Sequence, residues 1–154
     1  MAVELGASST DGARRESFRS VSLLAILLAG SCLTPMAALA QSTNNWIGTT
    51  PVYGTTTNWQ NGTTPLASET AVFSTLGTAR SLGIAAGTSV GGWQFSAGAP
   101  AYTFSVQNTY QFLTTGIVNS SSNAPVVTVI ATGDLNFSNS TGAGNATILS
   151  LIHI

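Results

Sequence analysis

Lysine is absent from this 154-residue sequence, and cysteine and histidine occur once each. Cys32 has no second cysteine to pair with, which excludes a disulfide framework. His153 stands alone, so a histidine-based metal site is not expected. Four arginines and five acidic residues are the whole charge complement. Most of these lie near the start of the chain, where Arg14, Arg15 and Arg19 mix with Glu4, Asp11 and Glu16. Between Gln41 and Ile148 only Glu69, Arg80 and Asp134 are charged. A basic face for nucleic acid or anionic lipid is therefore excluded. The low charge also argues against the highly charged kind of disordered chain.

The first forty residues have their own pattern. "RRESFRS" (Arg14–Ser20) supplies positive charge, and "VSLLAILLAG" (Val21–Gly30) a short apolar run. Pro35 follows, then small residues at Ala38 and Ala40. A basic region, a short apolar core and an Ala-x-Ala site make a secretory signal peptide, cleaved between Ala40 and Gln41. A membrane anchor is the alternative, but a span needs about 20 predominantly apolar residues. Here Ser22, Ser31, Thr34 and Pro35 interrupt the run. A lipoprotein signal at Cys32 is disfavoured by Ala29, where a bulky aliphatic residue is wanted. A twin-arginine signal is disfavoured because Phe18 falls one residue late.

What the rest of the chain has in abundance is Thr, Ser, Asn and Gly, which make up half of Gln41–Ile148. These are poor helix formers, and no apolar stripe of helical period persists. Short apolar runs recur instead, bounded by Gly, Asn, Ser or Pro. They are "TAVFS" (Thr70–Ser74), "RSLGI" (Arg80–Ile84), "GWQFS" (Gly92–Ser96), "YTFSV" (Tyr102–Val106), "YQFLT" (Tyr110–Thr114), "GIVN" (Gly116–Asn119), "VVTVIA" (Val126–Ala131), "DLNFS" (Asp134–Ser138) and "NATI" (Asn145–Ile148). Regular short strands with turn punctuation predict an all-β sandwich, barrel or solenoid. Gly92–Phe104 and Gly133–Ile148 share a plan, with Phe95-Ser96 matching Phe137-Ser138. Their spacing is close to two rungs of a roughly 20-residue solenoid. Stacked Thr and Asn ladders satisfy one another, whereas stacked like charges repel, so the composition suits a solenoid.

Several blocks in order carry a resemblance. "NWQNGTTPLASETAVFS" (Asn58–Ser74), "VGGWQFSAGAPAYTFSV" (Val90–Val106), "GIVNSSSNAP" (Gly116–Pro125) and "GDLNFSNSTGAGNATI" (Gly133–Ile148) are similar to the start of autotransporter passenger domains with β-strand repeats. "LLAGSCLTPMAALA" is similar to the signal segments of the same Gram-negative proteins. The resemblance implies a right-handed parallel β-helix, exported by the Sec machinery. A C-terminal β-barrel, placed by the outer-membrane assembly machinery, would carry it to the cell surface. The expected organisation is a signal peptide over 1–40, an N-terminal cap over 41–75 and the first β-helix coils over 76–148. Trp46, Tyr53 and Trp59 are expected to cover the open end of the first coil, since terminal repeats need covering.

Chemistry is sparse. A serine protease triad needs His and Asp beside Ser, and the one histidine lies at the end of the chain. Glu69 and Asp134 are read as solvated loop residues rather than a carboxylate pair. Trp46, Trp59 and Trp93 could present sugar platforms, but packing is the preferred reading. Sequons at Asn61, Asn119, Asn136, Asn139 and Asn145 follow from composition and do not argue for glycosylation. No catalytic, metal or cofactor residues are expected, and the chain is read as a structural or adhesive stalk whose cell-surface ligand the sequence does not specify. The alternative is the start of a β-helical extracellular enzyme, a protease or polysaccharide-cleaving passenger with its catalytic part elsewhere.

The terminal "LSLIHI" (Leu149–Ile154) breaks the composition. The hexapeptide is a translation of CTGTCTCTTATACACATC, the mosaic end of a transposase sequencing adaptor, and is read as a non-biological scar. A genuine apolar strand is the alternative. The coding DNA decides between them: the adaptor sequence itself is expected there, and synonymous codons that do not spell it would overturn the reading.

Overall fold

In the computed structural model, residues 41–130, 132–139 and 141–151 are described. The signal-peptide reading of residues 1–40, with Ala38 and Ala40, lies outside the described residues, as do 152–154 of the terminal hexapeptide. Among the described residues, nine strands and one 3₁₀ turn (Thr56–Asn58) make up the regular structure. The strands are β1 (Thr43–Asn45), β2 (Thr70–Phe73), β3 (Ser81–Ile84), β4 (Thr88–Phe95), β5 (Thr103–Val106), β6 (Thr109–Asn119), β7 (Val126–Val129), β8 (Asp134–Phe137) and β9 (Thr147–Ser150). They form two sheets, ordered β1-β2-β4-β6-β8 and β3-β5-β7-β9. Every strand pairing is parallel. From β2 onward the chain alternates between the sheets as it advances, which is a right-handed parallel β-helix of about four turns.

Register sets the core. Ser81 pairs with Thr103, Thr103 with Val126, and Val126 with Thr147. Each position therefore lies on its counterpart one coil away, at the parallel-strand spacing of about 4.8 Å. Inward positions form columns of one chemical kind. Leu82, Phe104 and Val127 stack in one column, Ile84, Val106 and Val129 in another, and all six are buried. In the larger sheet Phe73 and Phe95 stack with ring centroids 5.0 Å apart and planes 17° from parallel. Phe112 and Phe137 repeat that geometry two coils later, again at 5.0 Å and 17°. Trp93 spans the core and stacks on Phe104 of the opposite sheet at 4.2 Å. Outward positions carry Thr, Ser, Asn and Gln, so the composition seen in the sequence is the outer surface and the turns.

The segment between β1 and β2 adds three more aromatics. Trp46, Tyr53 and Trp59 are buried. Trp59 meets Trp46 and Tyr53 edge-to-face, with centroids 5.1 and 4.9 Å apart. Polar groups in this segment are tied down. The Asn58 side chain donates to Thr50 and to the Val52 carbonyl, and the Trp46 indole donates to the Ala79 carbonyl at 3.1 Å. A side chain on Gly77 would collide with the Trp46 ring, which explains glycine there.

Three features differ from the sequence expectation. Tyr110–Thr114 and Gly116–Asn119, expected as separate strands, are one strand, β6. Its pairing with β4 slips at Gly91: Val90 faces Phe112, but Gly92 faces Gly116. Residues 113–115 thus oppose one residue, a bulge that bends the sheet. Gly116 follows it with a φ of 68°, and a Cβ there would strike the Gly142 backbone. Secondly, β1 was not expected at all, because "TNN" carries no apolar pattern. Its Asn44 is buried and satisfied by the Thr63 carbonyl and the Asn61 N–H. Thirdly, the repeat is out of phase. Phe95 lies over Asn119 and Phe137 over Phe112. The two blocks are two coils apart but occupy different halves of the bent strand, because bulge and turn lengths vary between coils.

Phe95→Ala is expected to lower stability by about 3–5 kcal/mol, the range for large buried aromatics. Gly116→Ala should cost at least the 1–3 kcal/mol of a left-handed non-glycine residue, roughly. Thr103→Ala, on the outward face, should stay within about 0.5 kcal/mol. Denaturant titration of the three variants checks the order.

Candidate functional site

A recess lies where the β1–β2 segment meets the first turn of the smaller sheet. Val52–Thr55 and Thr64 form one wall and Gly83–Thr88 the other, enclosing about 420 Å³. Its origin is a broken ladder. Tyr53 N–H donates to the Gly83 carbonyl at 3.1 Å, and Gly83 N–H to the Pro51 carbonyl at 2.8 Å. The next acceptor in line, the Tyr53 carbonyl, is taken by the Trp59 indole at 2.8 Å. The two segments therefore part beyond Gly83. The volume falls in the small-ligand range of about 300–1,000 Å³. No charged side chain lines it. Its polar groups are threonine hydroxyls and backbone amides, which can orient a neutral molecule. Threonine without an adjacent base is a weak nucleophile.

Beneath this recess runs a buried hydrogen-bonded chain. The Trp93 indole donates to the Tyr110 hydroxyl at 2.7 Å, and Tyr110 donates to the Tyr53 hydroxyl at 2.6 Å. Burial pushes both tyrosines up from their ordinary value. For Tyr53, the hydrogen bond from Tyr110 opposes part of the shift; for Tyr110, the neighbouring Tyr53 adds to it and the Trp93 hydrogen bond opposes it. Tyr102 is also raised by burial, opposed by Arg80, which donates to its hydroxyl at 2.7 Å. Tyr102 in turn donates to the Ser74 carbonyl at 2.8 Å.

The remaining residues singled out by the sequence are dispersed. Gln41, expected to start the mature chain, is half-buried, with its side chain over Gly91 and its oxygen 2.9 Å from the Thr114 hydroxyl. Glu69 accepts a hydrogen bond from Leu66 N–H at 2.9 Å, and Asp134 one from the Asn136 side chain at 3.0 Å. Trp46, Trp59 and Trp93 are buried and present no platform. His153 lies outside the described residues. No group of three or more metal-ligating side chains occurs among the described residues.

Sequence reading passes over one motif. Gly87–Gly91 reads Gly-Thr-Ser-Val-Gly, the spacing of a serine nucleophile elbow. That elbow requires a sharp strand-to-helix turn. Ser89 instead sits within extended β4, with its hydroxyl 3.4 Å from the Gln111 side-chain oxygen. The spacing here is a product of composition. The Trp93–Tyr110–Tyr53 chain had no sequence signal either, since Tyr53 and Tyr110 are joined only by the coiling. No family model, curated protein or solved structure matches the chain.

Tyr110→Phe leaves the Trp93 indole N–H buried without its acceptor, and should cost about 1–3 kcal/mol. The raised tyrosines also give a pH dependence. Their neutral form is favoured in the native state, so stability is unaffected below the unfolded tyrosine value of about 10 and falls as pH rises above it. Melting temperature measured from pH 8 upward checks this; Tyr110→Phe should blunt the alkaline fall.

Proposed function

We propose that the chain is the N-terminal part of an exported, surface-displayed autotransporter passenger, in which a β-helical stalk serves a structural or adhesive role rather than a catalytic one. The observation that carries this reading is the parallel β-helix itself, and the basic, then apolar sequence ending in Ala38-Leu39-Ala40 before the first strand supports it. A β-helix is a rigid rod built by repetition, and extended repeat surfaces suit display and binding. The nearly uncharged outer face of Thr, Ser and Asn offers hydrogen bonding without a catalytic acid–base pair. The uncharged recess beside Tyr53 offers concave space to a small neutral group of a cell-surface ligand. In this reading the Sec machinery exports the chain, and an outer-membrane barrel on the same polypeptide, placed by the assembly machinery, displays it.

Export is tested by expressing residues 1–154 ahead of a periplasm-active reporter in a Gram-negative host. Processing between Ala40 and Gln41 is expected, with reporter activity that falls when the Sec translocase is inhibited. Ala40→Arg should block processing. An unprocessed chain that stays in the cytoplasm would overturn the reading.

A further inference from the structure

The recess beside Tyr53 contains a backbone donor whose direction is fixed. The Ile84 carbonyl accepts Gln107 N–H at 3.0 Å, on the β5 side. Carbonyl and N–H point opposite ways across a trans peptide, and no cis peptide occurs among the described residues. Ala85 N–H therefore points away from β5, toward the Val52–Thr55 wall of the recess. The Tyr53 carbonyl, next in the ladder, is taken by the Trp59 indole, and Thr55 N–H turns back to the Val52 carbonyl at 3.4 Å. Among the described residues Ala85 N–H has no backbone acceptor. Thr55, Thr64 and Thr88 bring hydroxyls to the same recess, and Val52, 48% exposed, brings an apolar side chain.

We propose that this recess binds a neutral N-acetylated amino sugar, with Ala85 N–H donating to the acetyl oxygen. A secondary amide is the group that a strand edge pairs with. The edge of β3 has room for only one such group. Gly83 is already bonded to Pro51 and Tyr53, and the chain bends at Ala86. An added peptide strand, which pairs through alternate residues, has no second residue to meet. The volume of about 420 Å³ lies toward the small end of ligand sites, which suits a single sugar ring with its acetyl group. Threonine hydroxyls both donate and accept, as ring hydroxyls require, and Val52 gives the acetyl methyl an apolar contact. No charged side chain lines the recess, so a carboxylate or a free ammonium would lose water there without gaining a partner. The link to a cell-surface glycan rests on the surface-display reading; the site itself does not, so binding and export fail separately.

Nuclear magnetic resonance titration of the purified chain with the methyl glycoside of N-acetylglucosamine tests it. Saturable shifts at the Ala85 and Thr88 amides are expected, with a dissociation constant of roughly millimolar for a few uncharged hydrogen bonds. Methyl glucoside, which lacks the acetamido group, and glucosamine, which carries a charge, should each bind roughly tenfold more weakly or not at all. Ala85→Pro removes the N–H without breaking a backbone bond among the described residues. It should weaken binding by a similar factor with unchanged far-ultraviolet circular dichroism. Gly54 lines the recess, and a Cβ there meets nothing within 4 Å, so Gly54→Leu should fill the space and abolish binding. Absence of saturable shifts, equal binding of methyl glucoside, tighter binding of a capped dipeptide than of the sugar, or a Gly54→Leu variant that binds as the wild type does would each overturn the proposal.

Discussion

Parallel register is the constraint from which the rest of this structure follows. Once each coil is hydrogen-bonded in register to the one before it, every inward side chain must tolerate its counterpart less than 5 Å away, roughly the strand spacing. Apolar and aromatic residues meet that condition by stacking. Phe73 on Phe95 and Phe112 on Phe137 do so with nearly identical geometry. Charged residues do not meet it, and among residues 41–151 only Glu69, Arg80 and Asp134 are charged. The low charge and the aromatic core are two consequences of the same stacking rule.

A rod of stacked coils has ends, and the chain treats its two ends differently. At one, the β1–β2 segment spends its backbone groups on the edges of β1 and β3 and brings Trp46, Tyr53 and Trp59 into the core. The indole groups and Asn58 satisfy carbonyls that a regular strand would have satisfied through its ladder. The recess beside Tyr53 is a by-product of that closure, since the Trp59 indole competes for the carbonyl that would have extended the ladder. At the other end the columns thin out, from fully buried Phe112 to half-buried Phe137.

The bulge at Gly91 shows how the solenoid bends without breaking register. Three residues of β6 pass one of β4, and the strand resumes pairing at Gly92 and Gly116. Thr114 donates to the Gly91 carbonyl at 2.8 Å, so the bend satisfies a backbone group that the ladder drops there. The left-handed backbone at Gly116 and its close approach to Gly142 leave no room for a side chain. Local irregularity is tolerated because it recurs at the same corner in successive coils.

Most strands were legible in the sequence because inward residues there are apolar and the bounding residues are turn formers. Thr103–Val106 announces itself by alternation, and Val126–Val129 by its β-branched apolar run. The all-β class and the solenoid reading follow from composition, since Thr- and Asn-rich segments with few charges fit stacked ladders and little else. Only the tertiary structure decided phase. Coil length varies with each bulge and turn, so Phe95 and Phe137 look equivalent in sequence yet stand in different columns. It also decided which polar groups lie inside. Tyr53, Trp93 and Tyr110 are distant in sequence and ordinary in context, and a hydrogen bond between them exists only after two coils close over one another. Periodicity reports which side of a strand faces inward; what it meets there is set by coiling, which no local pattern encodes.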